Sequence, residues 1–141
     1  MNKHVARSLV LLLILLGAGL SQASSLSPEK AKAPKGQVLV TTNLDLDFSG
    51  FKVTFIELGA DRCIPCKKMQ PIMKELAEEY PLKIQVVFYD VWKDPVPARK
   101  FGIQLIPTQV FIDPQGREVF RHVGLFPKED ILKMLKEKSI L

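Results

Sequence analysis

Hydrophobic and polar positions divide the chain into segments of recognisable period. Val53 to Leu58 is a nearly unbroken β-branched and aromatic run, the pattern of a strand buried on both faces. After a short loop, Met69, Ile72, Met73, Leu76 and Tyr80 recur at three- and four-residue steps and predict one buried face of a helix. Pro71 lies inside that helix and removes one backbone hydrogen bond, and Pro81 ends it. Lys83 to Tyr89 reads as a second central strand. Asp90 to Lys100, with Pro95 and Pro97, reads as a loop or short helix. Gln109 to Ile112 and Glu118 to His122 flank the turn sequence Asp113-Pro114-Gln115-Gly116 and predict a hairpin. Lys128 to Lys138 closes the pattern as an amphipathic helix. Ile131, Leu132, Met134 and Leu135 face inward, and Lys133, Lys136 and Lys138 form its solvated side.

Upstream the pattern is weaker. Gln37 to Thr42 is a short strand. Asn43 to Gly50 alternates Leu44, Leu46 and Phe48 with polar residues, which suits either a half-buried strand or an irregular turn. The predicted order is β, β, α, β, short α, β, β, α. It implies an α/β domain in three layers, with a mixed β-sheet between helices. The strands on either side of the first long helix run parallel, and the hairpin strands run antiparallel.

The first residues have a different character. Lys3 and Arg7 precede an apolar run from Leu9 to Leu20, and Ser21-Gln22-Ala23 offers a small-x-Ala cleavage pattern. Residues 1–23 are therefore expected to be a signal peptide. An uncleaved N-terminal membrane anchor is the alternative, although twelve apolar residues as a helix reach only roughly 18 Å of a hydrocarbon core of about 30 Å. Either reading places the domain outside the cytoplasm, in a periplasmic or equivalent compartment. Residues 24–36 lack apolar periodicity and contain Pro28 and Pro34, which predicts a flexible linker ahead of a domain over 37–141.

Of the 20 basic residues, Lys3 and Arg7 lie in the signal, which leaves 18 against 15 acidic ones. That small excess, scattered rather than interleaved with aromatics on one face, gives no case for nucleic-acid binding.

The candidate chemistry lies in Cys63-Ile64-Pro65-Cys66, which holds both cysteines of the 141-residue chain. The loop they could close is too short for a useful structural staple. A metal site would need three or four ligands, and only His122 lies outside the signal to help the two cysteines. A thiol pair at this spacing suits disulfide exchange, because one sulfur attacks and the second resolves the mixed disulfide. Cys63 falls at a helix start, where backbone N–H groups and the dipole favour a thiolate. Arg62, Lys67 and Lys68 add positive charge, and Pro65 fits the first helical turn. Cys63 is thus the expected nucleophile and Cys66 the resolving thiol. No metal or other cofactor is called for.

The stretch from Glu57 through Cys63-Ile64-Pro65-Cys66-Lys67, with Pro71, Phe101-Gly102-Ile103-Gln104-Leu105-Ile106-Pro107-Thr108 and Val123-Gly124, resembles the thioredoxin family over roughly residues 37 to 138. The resemblance implies a thioredoxin fold and a monomeric thiol–disulfide oxidoreductase. It implies protein disulfide or dithiol substrates, and a membrane or soluble thiol reductant as redox partner. It implies that Pro107 is cis and that it places Ile106 beside the sulfurs as a substrate-pairing edge. It puts Glu57 where relatives often carry a buried acid that moves the proton of Cys66. The alternative for Glu57 is a charge at the strand edge reaching solvent. Arg62 replaces the usual aromatic and Ile64 the usual glycine, so Arg62, Ile64 and Pro65 are expected to contact partners. The segment before Val53 is shorter than the family's first helix requires. A reductant is the direction the resemblance favours. A disulfide-donating oxidase, or a copper carrier or chaperone on the same fold, remains the alternative. Trp92 is expected to be a packed loop aromatic and His122 a structural residue.

If the helix start activates Cys63, a pH titration of its alkylation in the reduced protein will give an apparent pKa below that of free cysteine. A midpoint at or above the free value would remove the assignment of Cys63 as nucleophile.

Overall fold

A strand of seven buried residues, Val53–Gly59 (β2), forms the middle of the sheet in a computed structural model that describes residues 29–141. The expected signal or anchor over residues 1–23 lies outside the described residues. Strand order is β1-β3-β2-β4-β5, with β1 Val38–Val40, β3 Ile84–Asp90, β4 Thr108–Ile112 and β5 Glu118–Val123. β3 pairs with β2 and with β1 in parallel. β4 pairs antiparallel with β2 and with β5. The helices are α1 Ile64–Glu79, α2 Val96–Lys100 and α3 Lys128–Glu137. Both the predicted order and the mixed sheet are observed.

Alternation along β2 supplies both faces of the sheet. Val53 and Phe55 join Met69, Met73 and Leu76 of α1 and Ile131 and Leu135 of α3 in one core. Phe55 stacks on Phe111 of β4 at 5.0 Å between ring centroids, an arrangement that contributes about 1 kcal/mol beyond simple burial. Ile56 and Leu58 point the other way and pack with Val87, Tyr89 and Val110, under Ala98, Phe101 and the segment carrying Leu44, Leu46 and Phe48. Three layers result. α1 and α3 cover one face, and α2 with an irregular N-terminal segment covers the other.

That N-terminal segment corrects one expectation and settles one alternative. Its described part is not a free linker from Ala31 onward. Ala31 forms a parallel bridge with Leu46, and Ala33 is buried with its N–H donated to Gln85 Oε1 at 2.9 Å. The Gln85 amide also donates to the Asp47 carbonyl and to Thr54 Oγ1. Backbone bonds and one buried glutamine hold this stretch, so no hydrophobic period betrays it. Asn43 to Gly50 is the irregular turn rather than the strand. Asn43 Oδ1 accepts from the Asp45 N–H, and Asp47 Oδ1 from that of Ser49. The polar members of the alternation thus satisfy their own backbone, while the apolar members dock.

Candidate active site

The site forms where β2 runs into α1. Cys63 is the N-cap of α1, in extended conformation, and Pro65 sits in the first turn. The Cys63 N–H is donated to the Ala60 carbonyl, and its Sγ accepts the Cys66 N–H at 3.3 Å. The two cysteines are joined in a disulfide, with Cα atoms 5.2 Å apart. Cys63 keeps 8% of its surface exposed and Cys66 1%, so an incoming partner reaches Cys63 first. Arg62, Lys67 and Lys68 are exposed around the helix start, and Ile64 projects with 73% of its surface free beside the exposed Pro65.

Gly59 makes this seating feasible. A Cβ there would lie 3.2 Å from the Cys66 Cβ, 3.3 Å from its Sγ and 3.2 Å from the Phe88 ring. A side chain there would crowd the inner sulfur and the Phe88 ring, which would have to give by a few tenths of an ångström.

On the opposite side Ile106 packs against Ala60, Cys63 and Cys66. The Ile106–Pro107 peptide is cis, and Pro107 is buried just ahead of β4. The Thr108 hydroxyl donates to the Leu105 carbonyl at 2.6 Å, which shapes the turn before that bond. Gly124, at φ 98°, donates its N–H to the Pro107 carbonyl at 2.8 Å. The structure thus brings Cys63, Cys66, Ile106 and Pro107 together, with Arg62, Ile64 and Pro65 around them.

Glu57 does not reach solvent. It is fully buried on β2, two residues before Gly59 and on the same face, toward α1. Burial pushes its carboxyl up to about 8, against a smaller opposing effect from the Gln109 amide, which donates to Oε2 at 3.0 Å. Its neighbour in the β3 register is Phe88, which offers no charge. Oε1 has no hydrogen-bond partner among the described residues.

Three residues of the site region escape a reading of the sequence. Gln109 looks like an ordinary strand residue, and only its polarity inside a buried run could have flagged it. Gly59 looks like a loop residue, and its close approach to the sulfur is a tertiary fact. Trp92 is not packed as expected: 62% of it is exposed. With Asp61, Arg62, Asp90 and Lys93 it lines a surface cavity of about 380 Å³ next to the helix start. Asp90 holds this loop by accepting the Trp92 and Lys93 N–H groups at 3.1 Å, and Lys93 pairs with Asp61 and Asp90. His122 stacks on Phe126 at 4.1 Å, in keeping with a structural role. Among the described residues, no group of three or more His, Cys, Asp or Glu is placed to hold a metal ion.

Residues 49–139 match the family model described as a thioredoxin-like domain. The chain belongs to the thioredoxin family. It is 33% identical over 85 residues to a thioredoxin of Chlamydia muridarum, which covers 60% of this chain and 81% of that protein. It is 35% identical over 83 residues to a thioredoxin of Staphylococcus haemolyticus, covering 59% and 79%. Among solved structures, a point mutant of a Halobacterium salinarum thioredoxin superposes with TM-score 0.64 at 24% identity, covering 76% of this chain and 95% of that one. The short form of spinach chloroplast thioredoxin f also gives 0.64 at 24% identity, over 77% and 99%. The family and the cysteine pair make this protein a thiol–disulfide oxidoreductase, and thioredoxin-like proteins act on protein disulfides.

The buried acid has a measurable signature. Because the folded-state pKa of Glu57 is raised from 4.5 to about 8, the folded state keeps a proton that the unfolded state has lost between these values. Stability therefore falls as pH rises through this window, by roughly 5 kcal/mol if no relaxation intervenes. Denaturant unfolding of the oxidised Glu57→Gln variant will show this loss removed, with its advantage over the parent growing from pH 4.5 to pH 8. Parallel pH curves for the two proteins would contradict the burial of an ionisable Glu57.

Proposed function

We propose that the protein is exported and reduces disulfides of other proteins outside the cytoplasm. The disulfide exchange in this reading is carried by the asymmetry of the cysteine pair: one sulfur within reach at a helix N-cap, the other sealed against Gly59, two positions along β2 from a buried acid. The Cys63 thiolate attacks one sulfur of a partner disulfide. A mixed disulfide forms and the first partner thiolate leaves. Cys66 gives its proton to the Glu57 carboxylate and attacks Cys63 Sγ. The Cys63–Cys66 disulfide forms and the second partner thiolate leaves. Two electrons pass to the partner, and no cofactor beyond the dithiol takes part. A proton acceptor whose pKa lies near neutrality suits this step.

The partner strand docks along Ile106, which precedes the β4 ladder at Thr108 and packs against the sulfurs, with the exposed Leu105 just before it. Arg62 and Ile64 are exposed where they would flank it.

A reductant needs a disulfide that is stable relative to its thiolates. Between the sulfurs, Ile64 supplies no side-chain donor and Pro65 no backbone N–H. The Cys63 thiolate therefore draws on the helix start and the Cys66 N–H without a further donor from the two residues between the sulfurs, whereas a strong oxidant has a more stabilised reduced form. The charged and apolar pattern of residues 1–23 supports export, and a membrane or soluble thiol donor of that compartment would restore the dithiol.

The reduced protein is expected to reduce insulin disulfides catalytically, and Cys63→Ser to lose this activity. Cys66→Ser should instead accumulate a mixed disulfide on Cys63. Turnover retained in Cys63→Ser, or stoichiometric Cu(I) binding without any reductase turnover, would count against the enzyme reading.

A further inference from the structure

The Gln109 side chain is fully buried and has two engaged hydrogens. Nε2 donates one to Glu57 Oε2 at 3.0 Å and the other to the Gly124 carbonyl at 3.1 Å. The carbonyl fixes the amide's orientation. A flip would turn Gln109 Oε1 against the Gly124 oxygen, acceptor against acceptor. Gly124 is itself anchored, since its N–H is donated to the Pro107 carbonyl. Gln109 therefore always presents a donor to Glu57, whatever the charge on the acid. Glu57 Oε2 is occupied by that donor, while Glu57 Oε1, like Gln109 Oε1, has no partner among the described residues.

Each element around Glu57 contributes an uncharged group near it. β3 contributes Phe88, β4 contributes Gln109, and the turn after β5 contributes the Gly124 carbonyl through that amide. α1 contributes Cys66, which lies over Gly59, the next position along the same face. No salt bridge reaches Glu57 among the described residues. The one group that restrains the acid is a neutral amide.

We propose that Gln109 is a positioning residue: it fixes the Glu57 carboxyl by holding Oε2, and so leaves Oε1 as the single atom that carries the proton exchanged with Cys66. The proposal rests on Glu57 being the proton carrier for Cys66. Gln109 touches neither sulfur nor partner and acts only through the acid. Its donated hydrogen favours the carboxylate against burial. Without it burial acts unopposed and the acid holds its proton more tightly.

Carbon-13 spectroscopy of the Glu57 carboxyl in the oxidised protein, where neither cysteine titrates, tests this directly. The expected result is a carboxyl midpoint about one pH unit higher in Gln109→Met than in the parent, a tenfold gain in proton affinity. In the parent itself, which needs no variant to fold, the Gln109 side-chain amide protons will shift with the same midpoint as the carboxyl. Amide resonances that do not move through that titration, or an unchanged midpoint in a folded Gln109→Met, would overturn the proposal. The pH profile of mixed-disulfide resolution in the reduced protein separates the underlying assignment. Gln109→Met should move the limb that Glu57→Gln abolishes, and should have no effect on the limb in the double variant. A profile unaltered by Glu57→Gln would instead remove Glu57 as proton carrier, and the proposal with it.

Discussion

Burial of β2 on both faces and along both edges is the constraint on which the remaining structure depends. It pairs with β3 on one side and β4 on the other, and every residue from Val53 to Gly59 is buried. Its alternation builds the two cores at once, so neither helical layer could be lost without exposing one of its faces. The same strand ends at Gly59, whose missing side chain admits Cys66, and it carries one ionisable group, Glu57. Fold and chemistry therefore share a single element. What stabilises the sheet also strips solvent from the acid and the inner sulfur.

Two unlike environments for like groups follow from this placement. Cys63 lies at a helix N-cap among exposed cations and takes its hydrogen bond from the first turn. Cys66 lies one turn in, between the helix and the sheet, with an acid nearby rather than a cation. Asp47 and Asp113 carry the reverse case from Glu57. Bonds from Lys32 and Ser49, and from Arg117 with Gln115, hold these carboxyls below the usual range. Glu57 has one neutral donor and deep burial, so its carboxyl moves the other way. Among the described residues, the one carboxyl raised toward neutrality thus lies on β2 two positions before the glycine over which Cys66 is seated.

Most of the fold was legible because period and burial coincide. β2 reads as a continuous apolar run because both its faces are covered, and α1 shows its buried stripe at three- and four-residue steps despite Pro71. The hairpin of β4 and β5 was marked by its turn. What stayed hidden is held by polar contacts between distant segments. Ala31 and Ala33 dock through a backbone bridge and the Gln85 amide, which leave no periodic trace. The site followed the same division. The cysteines, Pro107 and Ile106 were marked by local motif, and Glu57 by its position in the resemblance. Gln109 acts across the β2–β4 ladder to a residue 52 positions away, a relation that no local pattern records. Trp92 was misjudged because loop aromatics are commonly packed, whereas here Asp90 satisfies the loop's backbone and leaves the indole outside.

The proposal to be tested is that this pair donates electrons, since neither the Ile64 side chain nor the Pro65 nitrogen adds a donor to the Cys63 thiolate beyond the helix start. The reduction potential of the Cys63–Cys66 disulfide, measured by equilibration with glutathione, tests it most directly. The account predicts a value near or below about −270 mV, that of a thioredoxin; a value near −120 mV, that of a strong oxidant, would contradict it.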